Sequence, residues 1–328
     1  MFFFSIVEGV AIVFSFFLSK KERLKKILYF CKCICSKMKS VLKGTGVALV
    51  TPFKEDRSID FEGIAKMVKH LIANNIDYIV ALGTTAETPT LSFAERKQVL
   101  ETIVEEVNNR VPIVVGIGCN NPIEVNEQIH MFDLSKVSAI LSVAPYYNRP
   151  QQRGLVEHYR SIAAQSPLPI ILYNVPSRTG VNIDAATTLQ ITATIPNVIG
   201  IKEASGNLGQ IMQILANRPK DFLVISGDDL LTLPLLACGV DGVISVVANS
   251  FPKEVSAMVN YGLQGNFEQA RAIHYQLMEP AKACFADGSP SGIKCFLHEQ
   301  GLIGQHVRLP LADATEEMSA RVRKLLNR

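Results

Sequence analysis

The chain has 328 residues, 48% of them hydrophobic and 19% charged, with a formal net charge of +3. That composition supplies a large core and excludes global disorder, and the length suits one large α/β barrel or two ordinary domains. The positive charge sits at one end: residues 1–37 carry seven basic and two acidic side chains, whereas residues 38–328 carry 26 and 28, so the body offers nothing to a nucleic-acid backbone.

Residues 1–37 read as an atypical leader. "MFFFSIVEGVAIVFSFFLS" is apolar except for Glu8, and "KKERLKK" follows. Its length is marginal for a membrane span, and the basic flank would keep the rest of the chain cytoplasmic. A basic segment before the apolar run and a small-residue cleavage site, the marks of a secretory signal, are missing. Two readings stand, a membrane anchor and a start assigned too early, with Met38 as the true beginning; the second is favoured. Cys31, Cys33 and Cys35 alternate in this leader, while Cys119, Cys238, Cys284 and Cys295 are scattered among apolar neighbours. No zinc-like spacing or paired histidines appear, so reduced thiols in the cytoplasm and no metal site are expected.

From residue 44 onward, short β-branched runs alternate with amphipathic stretches. "GVALVTPF" (46–53) precedes a helical pattern at 61–75. "DYIVALG" (77–83) runs into "GTTAET" (83–88), where Thr84, Thr85 and their backbone N–H groups are suited to a small carboxylate. A helix over 92–110 follows, and Ser92 with Glu95 reads as its capping box. "PIVVGIG" (112–118) comes next, then "AILSVAP" (139–145), which leads into the paired tyrosines of "PYYNRP" (145–150). "PIILYNV" (169–175) brings Tyr173 to a loop holding Arg178, whose fork fits a carboxylate. "VIGIKEA" (198–204), "FLVISGD" (222–228) and "DGVISVVA" (241–248) complete eight strands, near-continuously hydrophobic as strands covered on both faces should be. Eight strands each followed by a helix predict a (β/α)8 barrel over residues 38–265, with three helical patterns in 266–328 as a C-terminal extension. A doubly wound sheet is the competitor, but "GTGVAL" and "GIGCNN" both lack the third glycine of a dinucleotide fingerprint.

In such barrels the chemistry lies at the C-terminal ends of the strands. There Lys202 ends the sixth run, and a lysine in an apolar strand is costly unless neutral or paired. Two-residue alternation puts it on one face with Gly200 and Val198, and Gly200 would leave space beside its stem. Glu203, on the opposite face, is a poor partner. Desolvation would lower the amine's pKa and favour nucleophilic attack on a carbonyl, whereas the bland reading is a lysine snorkelling to the rim. Tyr173 is suited to proton relay or is merely a half-buried aromatic, and Arg178 is a carboxylate clamp or a surface charge.

The ordered set GTTAET, PYYNRP, YNVPSRTG, GIKEASG and SGDD resembles the dihydrodipicolinate synthase branch of the N-acetylneuraminate lyase superfamily, from about Gly44 to the C-terminus. The resemblance implies that Lys202 forms a Schiff base with pyruvate, and that Tyr173, Thr85 and Tyr147 relay protons, the last reaching into a neighbouring subunit. It implies that Thr84 and Thr85 hold pyruvate's carboxylate, that Arg178 receives that of L-aspartate-4-semialdehyde, and that Gly227 and Ile244 line the substrate site. It further implies a homotetramer, and no cofactor beyond the Lys202 imine. A lysine-effector site would involve Asn120, Glu124 and Tyr146, although Phe93 and Arg96 stand where feedback-inhibited relatives often carry histidines. "GSPSGIK" (288–294) departs from the family's proline-rich segment, a change expected to touch the C-terminal helices rather than the chemistry. The runner-up is an N-acetylneuraminate or 2-keto-3-deoxy-sugar-acid aldolase; Arg178 and the double tyrosine argue against it. A non-catalytic barrel would be expected to have lost the lysine or a relay residue, and none is lost.

Overall fold

The computed structural model describes residues 41–327, so the leader over 1–37 lies outside the described residues. Eight parallel strands close into a barrel in chain order, the first pairing with the last through Gly44↔Gly242 to Val47↔Ser245. They are β1 (Gly44–Ala48), β2 (Tyr78–Ala81), β3 (Ile113–Gly116), β4 (Ala139–Val143), β5 (Ile170–Asn174), β6 (Val198–Glu203), β7 (Leu223–Ser226) and β8 (Gly242–Ser245). Between them run α1 (Phe61–Ala73), α2 (Phe93–Val107), α3 (Pro122–Met131), α4 (Gln152–Gln165), the single turn α5 (Pro176–Thr179), α6 (Ala185–Thr194), α7 (Leu208–Asn217) and α8 (Thr232–Cys238). After β8 come α9 (Pro252–Leu263) and the three helices of the extension, α10 (Phe267–Ala286), α11 (Ser291–Glu299) and α12 (Glu316–Leu326).

Local chemistry sets these boundaries. Ser92 accepts from the Glu95 backbone N–H while the Glu95 carboxylate accepts from Ser92, so the expected capping box is present at the start of α2. Asp60, Asn121, Asn207 and Thr315 cap α1, α3, α7 and α12 by accepting from backbone N–H groups, which would otherwise lack partners. Prolines at 122, 176 and 252 open helices, where a missing N–H is harmless. The strands stop one to five residues short of the C-terminal ends of the runs that predict them. Those leftover residues leave the ladder and become the loops at the C-terminal end of the barrel.

Two apolar layers result. An inner cluster inside the barrel includes Ala48, Tyr78, Val80, Val114, Leu141, Ile171, Tyr173, Ile199, Ile225 and Ile244. A larger outer cluster joins the outward strand residues to the helices and reaches through Phe296 and Leu297 into the extension. Every strand is buried on both faces, which is why alternation is faint in the sequence.

Candidate active site at the C-terminal end of the barrel

Tyr173 and Lys202 are register partners on β5 and β6, and Lys202 pairs on its other side with Ile225. Lateral partners in parallel strands share a face, so both side chains point into the barrel. The Lys202 amine lies 4.4 Å from the centroid of the Tyr173 ring, and the residue is only 5% exposed. Among the described residues no carboxylate comes within ion-pair distance of this amine. It is neither snorkelling nor paired.

The reason it faces inward differs from simple alternation. The β5–β6 register shifts between Ile170↔Val198 and Ile171↔Gly200, so β6 carries one extra residue, Ile199. The bulge puts Val198 in the outer layer and both Ile199 and Gly200 on the inner side. Lys202 therefore shares its face with Gly200 but not with Val198, contrary to the expectation. Nor does Gly200 make the room: a Cβ there would meet Leu223, at 2.8 Å from its Cβ. Gly227 does, since a Cβ at that position would lie 3.0 Å from Lys202 Cε and 2.7 Å from Ala204 Cβ.

On the outward face, Asn174 and Glu203 form the matching pair. The Glu203 carboxylate accepts from Asn174 Nδ2 at 2.9 Å, Gln210 Nε2 at 3.0 Å and the Ser205 N–H at 3.1 Å. Burial still raises its pKa, outweighing these bonds. Asn174 Oδ1 also accepts from the Ile183 N–H at 2.9 Å. Donors thus lock β5 to β6 directly behind the inward tyrosine and lysine.

The turn Thr84–Ala86 after β2 is a single 3₁₀ turn, with Thr84 exposed and Thr85 buried. Thr51 donates its hydroxyl to the Ala86 carbonyl at 2.8 Å, tying this turn to the segment after β1. Arg178 lies within the single turn of α5 and is exposed, with no acidic partner among the described residues. A cavity of about 440 Å³ opens here. Its walls bring together Thr84, Tyr173 and Arg178 with Glu124 and Tyr146. Lys202 stands against Tyr173 but does not itself line this space, nor do Thr85, Gly227, Ile244, Asn120 or Tyr147. Ile244 is buried in the inner layer, on the strand adjoining β7. Tyr147 has φ +73°, is 88% exposed and does not line the cavity, although Tyr146 beside it does.

The far end of the cavity holds Arg96, Cys119, Glu124 and Tyr146. Glu124 accepts from Asn121 Nδ2 at 3.0 Å. Burial raises the Tyr146 and Cys119 pKa values and lowers that of Arg96. Phe93 is outside the cavity, packed on Phe132 with ring centroids 5.0 Å apart.

Two features carry no expectation from the sequence. Asp229 accepts from the Ser245 hydroxyl and, at 3.0 Å, from the Val246 N–H, holding the turn that follows Ile244. Glu87, in the αL conformation after the threonine turn, forms an ion pair with Lys294 of α11. Lys294 belongs to "GSPSGIK", so that segment is not confined to the C-terminal helices as expected; it reaches to within two residues of Thr85. Its signal in the sequence is the same as that of Lys202: a lysine embedded in an apolar stretch, "GIKCFL".

Residues 41–328 match the dihydrodipicolinate synthetase family. A 4-hydroxy-tetrahydrodipicolinate synthase of Parabacteroides distasonis is 48% identical over 285 residues, covering 87% of this chain and 96% of the relative. The crystal structure of a chloride-inhibited dihydrodipicolinate synthase from Acinetobacter baumannii, complexed with pyruvate, superposes with a TM-score of 0.85 at 37% identity, over 87% of this chain and 98% of that one. A monomeric dihydrodipicolinate synthase variant gives 0.85 at 36%, covering 88% and 97%.

Proposed function

The chain belongs to the dihydrodipicolinate synthetase family, and from that premise we propose that it is a lyase condensing pyruvate with L-aspartate-4-semialdehyde, as a 4-hydroxy-tetrahydrodipicolinate synthase in the diaminopimelate route to lysine. The observation that carries this reading is the Lys202 amine, buried and without an acidic partner, against the Tyr173 ring at the end of β6.

The chemistry runs in order from that pair. The Lys202 amine attacks the C2 carbonyl of pyruvate, and loss of water leaves an imine. The imine is an electron sink, so a methyl proton leaves to the Tyr173 relay and an enamine carbon forms. That carbon attacks the aldehyde, whose oxygen takes up a proton. The amino group of the adduct then adds to C2, closes the ring and releases the Lys202 amine. Thr84 and Thr85 receive the carboxylate of pyruvate, and Arg178, unpaired at the cavity mouth, receives that of the semialdehyde. Holding both reactants in one cavity removes several kcal/mol of entropic barrier. The Asn174–Glu203 pair supports this by fixing the strands that carry Tyr173 and Lys202.

The exposed Tyr147 fits a role completed by a second copy, in a homotetramer, with its hydroxyl joining the relay of a neighbouring site. Asn120, Glu124 and Tyr146 would bind lysine as an effector, Glu124 and Tyr146 from the cavity wall and Asn120 from beside Cys119 just outside that wall. The proposed place of work is the cytoplasm; no helix among the described residues is long and apolar enough to cross a membrane.

Purified protein given pyruvate and L-aspartate-4-semialdehyde, beside N-acetylneuraminate and 2-keto-3-deoxygluconate, tests the reading. Condensation with the semialdehyde is expected to dominate. Preferential cleavage of a sugar acid would keep Lys202 but remove the acceptor assignment from Arg178.

A further inference from the structure

Outside the cavity, Lys294 Nζ stands 2.6 Å from Glu87 Oε1, and both side chains are 0% exposed. The same amine donates to the His306 carbonyl at 2.8 Å, and the other Glu87 oxygen accepts from the Arg308 N–H at 2.8 Å. Phe53 packs beneath both cations, with Lys294 Nζ 4.2 Å and the Arg308 guanidinium 4.6 Å from its ring centroid. Arg308 then closes on Glu95 with both terminal nitrogens and donates to the Thr90 carbonyl at 3.1 Å. Two positions of the extension and its tail, Lys294 and Arg308, thereby grip residues 87–95.

Sequestering two charges from water is expensive, and an apolar pair of similar volume is often at least as stable. Stability therefore explains this pair poorly. Conformation explains it better. Glu87 has φ +55°, a region disfavoured for a side chain with a Cβ, and its backbone N–H closes the 3₁₀ turn by donating to Thr84 O at 3.1 Å. Whatever holds Glu87 in that conformation fixes where Thr84 and Thr85 point.

We propose that Glu87 and Lys294 are positioning residues through which the C-terminal extension sets the threonine turn, and with it the site's grip on the carboxylate of a 2-oxo acid. The proposal rests on the reading that Thr84 and Thr85 receive that carboxylate. It gives the extension a role in substrate selection as well as in covering the barrel. The ion pair acts on binding of the first substrate and not on the acceptor.

Borohydride trapping on Lys202, followed by intact mass, separates the possibilities without requiring turnover. Pyruvate is compared with acetone, a ketone lacking the carboxylate. In Glu87→Gln, in Lys294→Met and in the double variant, the half-saturating pyruvate concentration is expected to rise about tenfold, the scale of one misplaced charge-assisted hydrogen bond. Acetone trapping stays at the wild-type level. Arg308→Gln, at the more exposed end of the network, shifts pyruvate in the same direction by less and keeps the test available if the buried variants fail to fold. Unchanged pyruvate saturation in folded variants, or equal loss for pyruvate and acetone, overturns the proposal. Thr85→Val tells the two failures apart. If it also leaves the preference for pyruvate intact, the reading of the threonine turn fails and the proposal goes with it. If it abolishes that preference while the pair variants do not, only the coupling fails.

Discussion

A lysine is legible in a sequence when its neighbours make it costly. Lys202 follows Val198, Ile199, Gly200 and Ile201, and the structure buries it without a counter-charge, so its amine is a liability retained for chemistry. Lys202→Met keeps the apolar stem and deletes only that liability. Turnover is expected to fall by at least about 10³-fold, since no other nucleophile is in place. Thermal stability should hold or rise by about 1 kcal/mol, because a buried amine no longer lacks a partner. Activity assays, urea melts and borohydride trapping with pyruvate check this together; a pyruvate adduct surviving in Lys202→Met would move the imine to another residue. The same residue-level signal exists at Lys294, yet there the burial is answered by Glu87, 207 positions away in sequence. A lysine in an apolar run announces that it needs a reason; which reason depends on partners that only the fold brings near. Tyr147 shows the opposite limit: it is exposed on this chain, and its role is read from the resemblance alone.

At the level of elements, the eight strands and their order are plain from β-branched runs separated by capped amphipathic stretches, and the closed barrel follows from their number. The bulge in β6 is not legible, because Val198, Ile199 and Ile201 are interchangeable as apolar residues and only pairing with β5 reveals the extra one. The start of α2 is the clearest element boundary, and it is also where an element is tied to distant chain. Glu95 completes the capping box and binds Arg308, which, with the capping bonds, holds its carboxyl down at about 2 from the usual 4.5. A carboxyl depressed in the folded state adds stability above its unfolded pKa and loses it as pH falls through the folded one. Glu95→Gln is therefore expected to cost about 1 kcal/mol at pH 7, the full shift being discounted for a side chain still in contact with water. The difference should shrink as pH drops from about 5 to about 2. Urea titrations of both proteins across that range check the sign; a gap that persists undiminished at pH 2 would assign the loss to capping or packing rather than to charge.

The whole molecule adds a second and earlier acid sensitivity. His158 of α4 is 7% exposed, packs edge-on against Tyr159 with centroids 5.2 Å apart, and leaves its Nε2 without a hydrogen-bond partner. Burial alone pushes its pKa down to about 4 from 6.5. The unfolded chain thus takes up a proton at this site at higher pH than the folded one does, so acid favours unfolding. The stabilisation is complete above pH 6.5 and lost as pH falls through 4, about 3 kcal/mol by linkage if no other group compensates. Because His158 is buried on α4 against Tyr159, its protonation strikes the packing of that helix, whereas Glu95 acts later, on the start of α2 and its tie to the tail. His158→Leu keeps an apolar side chain there and removes the titration. Its stability should be near that of wild type at pH 7.5, within about 1.5 kcal/mol for a swap of similar volume, and higher than wild type at pH 4.5. Urea melts of the two proteins at half-unit pH steps would show the curves crossing or diverging between those values. Parallel curves throughout would mean that His158 finds a proton acceptor on charging and that the acid limb belongs to the carboxylates alone.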